Sequence, residues 1–280
     1  MKPNIPKRSA ALAIVALAMF FTSCADHRPS GIESSAKRLE SAHGEWPVIP
    51  FKYPGIDRAL VKTVEYSPGR SADVYWPPDF DFSKKLPVVI FGIGLPEERF
   101  LENIGARVTD TGLFVSMCTY IATRGAAAVV MNSHEPLKDF YSCARYLENE
   151  RELKLDLSRI FLWTRSEHAA FTLLLASVDG AYSSGVKGVC LFTPFLPQLA
   201  PVPRPSIPVL IVSAGRDLAV REKERTRYTE RLRNNGNPIS ELRFERGMHA
   251  FEIHELGDGG SVETVAESLD FAIAVLLSGS

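Results

Sequence analysis

Cysteine is scarce in this chain, with four residues in 280, and no metal-type spacing links them to one another or to the six histidines. A surplus of charge is also lacking. Lys and Arg total 32 against 33 Asp and Glu, a net charge of −1. That balance makes no electrostatic case for nucleic acid, and no basic stripe or recognition motif appears. There is no internal repeat at solenoid periods and no low-complexity run. Gly and Pro, 19 each, stay below the level that marks disorder. What is present is 45% hydrophobic residues, an ordinary globular composition and enough for one domain of generous size.

The N-terminus differs in kind. Lys2, Lys7 and Arg8 make a basic start, and no acidic residue precedes Asp26. The apolar run Ala10 to Phe21 is too short for a membrane span, which needs about 20 residues, and suits a signal-peptide core. It ends in Phe21-Thr22-Ser23-Cys24, which resembles a bacterial lipobox, with Phe21 where Leu is usual. The resemblance implies lipidation of Cys24 as the mature N-terminus. With Ala25 next, it implies anchoring in the bacterial outer membrane. Several acyl chains would make that anchor stable, since one alone binds marginally. Cleavage after Ser23-Cys24-Ala25 and release as a soluble periplasmic or secreted protein is the alternative; both readings export the chain. The organisation expected is a lipoprotein-type signal peptide (1–23), a polar tether (24–50) and one domain (51–280). Without Cys24, the cysteines Cys118, Cys143 and Cys190 are odd in number, so at least one thiol is free, and no disulfide pairing can be read from them.

From Leu60 onward, strand and helix signals alternate. Strand signals fall at Leu60–Tyr66, Ala72–Trp76, Leu86–Phe91, Ala126–Met131, Arg159–Trp163, Val186–Phe192, Pro208–Ser213 and Glu241–Phe244. Helical patterns lie between them. Leu113, Met117, Tyr120 and Ile121 share a face closed by Arg124-Gly125. Pro136 opens a helix carrying Leu137, Phe140, Ala144 and Leu147. The charged stretch 221–233 keeps Tyr228 and Leu232 as its inner pair, and Val262 to Leu276 is amphipathic. Continuous apolar strands separated by helices predict an α/β three-layer sandwich, α/β/α, with a mostly parallel sheet of about eight strands. The first two strands follow closely enough to be an antiparallel edge. About 15 Pro-rich residues separate Phe192 from Pro208, which leaves no room for a lid domain.

In open α/β sheets, ligands bind at the carboxyl ends of strands. Three successive strand ends there carry Thr164-Arg165-Ser166-Glu167-His168, Ala214-Gly215-Arg216-Asp217 and Arg246-Gly247-Met248-His249. Singly, each residue has a plain explanation, such as a helix N-cap for Ser166 or Asp217. Together, the order Ser, Asp, His at strand ends resembles the α/β-hydrolase superfamily, in its lidless dienelactone-hydrolase and acetyl-esterase-like branch. Leu86–Phe91, Asp156–Ile160, Pro208–Val212 through Asp217, and Gly247-Met-His-Ala-Phe251 match that branch in style, over roughly Leu60 to Leu277. The resemblance implies a serine hydrolase of carboxylic esters acting on a small-molecule ester, with no cofactor and no metal. Ser166 would be the nucleophile, His249 the base and Asp217 its orienting partner. The backbone N–H groups of Glu167 and of the Gly94–Leu95 loop would form the oxyanion hole.

The chain departs from that family in places that bear on activity. The family elbow is Gly-x-Ser-x-Gly because close neighbours of the strained serine must be small. Here those neighbours are Thr164 and His168, and the bulky His168 must displace a neighbour or point into the cleft. The family's His-Gly-Gly-Gly reads Ile93-Gly94-Leu95-Pro96, and Pro96 has no N–H to give. These changes support an alternative: a lipid-tethered binding module with little or no turnover. Arg165 and Glu167, flanking the serine, read as a surface ion pair, or Arg165 with Arg216 as an attractor of an anionic substrate group. His168 and His254 lack the partners at fixed spacing that a metal site needs.

Overall fold

Apolar, β-branched runs that can be buried on both sides become the central strands of a single sheet. A computed structural model describes residues 28–44, 47–92, 96–177, 182–197, 200–220 and 222–278. The signal-peptide segment, Cys24, Gly94 and Leu95 lie outside the described residues. No described helix is long and apolar enough to cross a membrane. The strands are β1 (Glu33–Ser34), β2 (Leu60–Ser67), β3 (Arg70–Trp76), β4 (Leu86–Gly92), β5 (Ala127–Met131), β6 (Leu155–Arg165), β7 (Val186–Phe192), β8 (Val209–Ala214) and β9 (Ile239–Phe244). The helices are α1 (Ser35–Ser41), α2 (Glu97–Ile104), α3 (Gly112–Thr123), α4 (Pro136–Asn149), α5 (Ala169–Ser177), α6 (Glu222–Asn234), α7 (Phe251–His254) and α8 (Gly259–Leu277).

The nine strands run in the order β1-β2-β3-β5-β4-β6-β7-β8-β9. From β5 to β9 every neighbouring pair is parallel, and β1, β2 and β3 form the antiparallel edge. Pro87 sits in central β4, where the register with β6 shifts between Pro87 and Val88. A break in the ladder is where a residue without an N–H can be placed. Helices α3 and α8 cover one face of the sheet, and α4, α5 and α6 cover the other. This is the three-layer α/β-hydrolase sandwich. Its chain order reverses between β4 and β6, the kind of switch point at which open α/β sheets bind ligands.

One expectation needs correction. The stretch 24–50 is not a free tether over its described part: β1 pairs with β2, and the α1 residue Ser35 donates from Oγ to the Ile56 carbonyl at 2.8 Å. Arg38 reaches Glu33 at 2.9 Å and the fully buried Asp73 at 3.2 Å. Thr63 donates to the same Asp73 oxygen at 2.6 Å. Burial pushes the Asp73 carboxyl up to about 6, against the pull of Arg38. Ile49 is buried and its N–H donates to Ser116 Oγ at 3.0 Å. This cover is also why α3 is buried nearly all round rather than on one face. A two-residue strand and a seven-residue helix are too short to leave a periodic signal. Cys118, Cys143 and Cys190 are all free, buried thiols.

Candidate active site

The turn after β6 is sharp. Ser166 adopts φ +47°, in the left-handed region, and a 3₁₀ turn over Ser166–His168 leads into α5. A non-glycine residue there is strained, and such strain collects at functional sites. Ser166 does not act as a side-chain helix cap. Its Oγ lies 3.0 Å from Nε2 of His249, and its carbonyl accepts the N–H of Phe195 at 3.0 Å.

Asp217 and His249 are brought together by their loops. A Cβ at Gly215 would collide with the Glu245 carbonyl, so the chain after β8 runs against the chain after β9 only because residue 215 is glycine. Across this approach the Gly215 N–H donates to the Phe244 carbonyl and the Arg216 N–H to the Gly247 carbonyl, both at 2.8 Å. Asp217 Oδ2 lies 2.9 Å from His249 Nδ1, and its Oδ1 accepts the N–H groups of Ala219 and Val220 at 2.8 and 3.0 Å. The carboxylate is thus held on both oxygens. Its side chain is nearly buried, while His249 is about a quarter exposed. Ser166, His249 and Asp217, far apart in the chain, form one continuous contact chain at the carboxyl rim.

The two bulky elbow residues are each accommodated. Thr164 pairs across the sheet with Gly92, the last residue of β4, and a Cβ at Gly92 would collide with Thr164 Cγ2. The small residue the turn needs has moved to the neighbouring strand. His168 is turned into an apolar pocket with Ile90, Gly92, Met131, Phe140 and Leu162. It is buried, and its Nδ1 has no hydrogen-bond partner among the described residues. Burial, and secondarily the charge of Arg165, pull its pKa down to about 3, so the ring is neutral.

For the oxyanion hole, the Glu167 N–H is at the first turn after the serine, while Gly94 and Leu95 lie outside the described residues. Pro96 precedes α2, and the Glu97 N–H donates to the Ser133 carbonyl at 2.6 Å. Among the described residues no His, Cys, Asp and Glu group could hold a metal ion.

Arg165 is not the surface residue that an exposed ion pair would need. It is 8% exposed, and its Nε lies 2.8 Å from Oε1 of Glu252, which is fully buried. Glu252 escaped the sequence reading, although an acid inside the apolar Ala250-Phe251-Glu252-Ile253 was a usable signal. So did a pair at the same rim, Glu97 and His134, at 3.5 Å, with Arg107 3.4 Å from the same carboxylate. Burial raises the Glu97 carboxyl pKa and Arg107 opposes it.

No protein-family model matches the chain, and no curated protein matches it. Solved structures do. Esterase 2 of Thermogutta terrifontis phosphorylated by paraoxon aligns with TM-score 0.61 and 18% identity, over 80% of this chain and 96% of that one. The native form of that thermophilic planctomycete esterase aligns with TM-score 0.60 and 19% identity, over 79% and 93%. Its butyrate-bound form aligns with TM-score 0.59 and 18% identity, over 81% and 96%. At such identity the likeness shows the fold.

Proposed function

We propose that the protein hydrolyses small carboxylic esters through an acyl-enzyme on Ser166. The observation that carries this reading is the contact chain Ser166 Oγ to His249 Nε2 at 3.0 Å and His249 Nδ1 to Asp217 Oδ2 at 2.9 Å. A serine hydroxyl is a weak nucleophile until a base takes its proton. His249 accepts that proton as Ser166 attacks the ester carbonyl. It then returns the proton to the departing alcohol. Water, deprotonated by the same imidazole, releases the acid. Asp217 holds the ring with Nδ1–H toward itself and stabilises the imidazolium. The tetrahedral oxyanion is met by the Glu167 N–H and by the loop at Gly94 and Leu95. The esterase neighbours support the substrate class.

A fluorophosphonate probe should label the protein and leave Ser166→Ala unlabelled. Well-folded protein that resists the probe and hydrolyses no short-chain ester overturns the proposal and favours the binding-module reading, for which Thr164, His168 and Pro96 spoke in the sequence. We further propose that Cys24 carries the lipid that tethers the enzyme to the bacterial outer membrane. Palmitate incorporation that Cys24→Ser abolishes is the expected result, and release of unlipidated protein into the periplasm is the refuting one.

A further inference from the structure

We infer that Arg165 and Glu252 act as a positioning pair, a buried ionic clamp that sets the distance between the serine turn and the histidine segment. The inference rests on the esterase reading and adds to it residues that touch no reacting atom. Two segments must meet for Ser166 to reach His249: the turn after β6 and the stretch from Gly247 through α7. Both carry a non-glycine residue with positive φ, Ser166 at +47° and Ala250 at +61°. Neither is a conformation the local sequence favours alone. The histidine segment is tied by backbone to the Asp217 loop, through the Arg216 N–H on the Gly247 carbonyl at 2.8 Å. Toward the serine turn the corresponding tie is ionic. Arg165, immediately before the serine, meets Glu252, three residues after the histidine, at 2.8 Å with side chains 10% and 0% exposed. The contacts 165–252 and 166–249 therefore join the same two segments side by side.

Energetics favour a role beyond stability. Burying two charges is costly, and an apolar pair of similar volume is often as stable or more so. An ion pair, however, holds two segments at a set separation that an apolar contact leaves loose. Reacting groups misplaced by about 1 Å lose on the order of 100-fold in rate, so a device that sets this spacing has a large effect available to it.

The test uses the full chain with Glu252→Gln, Arg165→Gln, the double variant and Arg165→Lys. Four quantities are read: thermal unfolding, the rate of fluorophosphonate labelling, kcat and KM for p-nitrophenyl acetate, and the low-field proton resonance of His249 Nδ1–H on Asp217, assigned by its loss in His249→Gln. Single Gln variants should lower kcat and labelling by about 10- to 100-fold, with KM within about twofold, and should shift or broaden the resonance. Arg165→Lys should recover part of the rate. The double variant decides between positioning and mere charge balance. It leaves no lone buried charge and should regain thermal stability, yet stay slow with a perturbed resonance. A double variant, or a folded Glu252→Gln, with wild-type kcat and resonance overturns the clamp. If wild type is never labelled at Ser166, the esterase reading fails on its own, and the resonance still decides whether the pair positions the histidine.

Discussion

The neutral imidazole of His168 makes stability fall in mild acid by an amount that can be worked out. The ring is buried among apolar side chains, and its pKa drops from an ordinary 6.5 to about 3 in the folded protein. Between those values the unfolded chain binds the proton and the folded one does not, so stability rises with pH. The contribution is whole above about pH 6.5 and is lost as pH falls toward about 3, at up to about 1.4 kcal/mol per unit. From pH 7.5 to pH 5 the loss is about 2 kcal/mol, and over the full window about 5 kcal/mol. Asp73 works in the opposite direction. Its folded pKa is raised to about 6 from 3.8, so its stabilising share is present at low pH and is lost as pH climbs through that value. Subtraction isolates the histidine. In urea unfolding, the stability of wild type minus that of His168→Leu, which keeps an apolar side chain and cannot titrate, should be about 2 kcal/mol lower at pH 5 than at pH 7.5. Differences that stay constant within about 0.5 kcal/mol across that range refute a buried neutral ring.

Other expectations follow from particular contacts. Asp217→Asn should leave the fold intact and cut kcat by about four orders of magnitude through the wrong imidazole tautomer; a loss under tenfold in ester hydrolysis assays contradicts the assigned role. Gly92→Ala should destabilise by about 1–3 kcal/mol through overlap with Thr164, and adding Thr164→Gly should restore stability, so additive losses in denaturation count against the exchange of bulk between the strands. Arg38→Met leaves Asp73 buried without its cation and should cost about 3–5 kcal/mol at pH 7.5, less at pH 5 where the carboxyl holds its proton; a cost independent of pH refutes that coupling.

Much of the architecture was legible because its signals are local and periodic. Runs such as Leu86–Phe91 and Val186–Phe192 are apolar throughout, as strands buried on both faces must be, and the structure places strands there. Tyr228 and Leu232 stood out as the inner pair of a charged helix, and both are buried. The strand-end rule assigns residues 166, 217 and 249 to one rim of the sheet, and contacts of 3.0 and 2.9 Å link them there. What was not legible depends on partners distant in sequence. Arg38 matters through Asp73, 35 residues away, and Arg165 through Glu252. No window of sequence holds both members of either pair.

The elbow shows why a motif is weaker information than the space it stands for. Gly-x-Ser-x-Gly encodes a requirement for room around a strained serine, and in a folded protein room can be supplied from anywhere in contact. Thr164 violates the pattern, yet the atoms it adds occupy the volume a side chain at Gly92 would have filled, one strand away and 72 residues earlier. His168 violates it again and is absorbed differently, by turning into a pocket lined by β4, β5, β6 and α4, at the cost of staying uncharged. The first substitution is therefore a sheet-packing change coupled to β4, and the second a titration liability coupled to pH. Neither alters the 3.0 Å approach of Ser166 to His249. Restoring glycine at 164 alone should then open a void beside Gly92 rather than repair a defect, because the defect the pattern announces has already been filled from the other side.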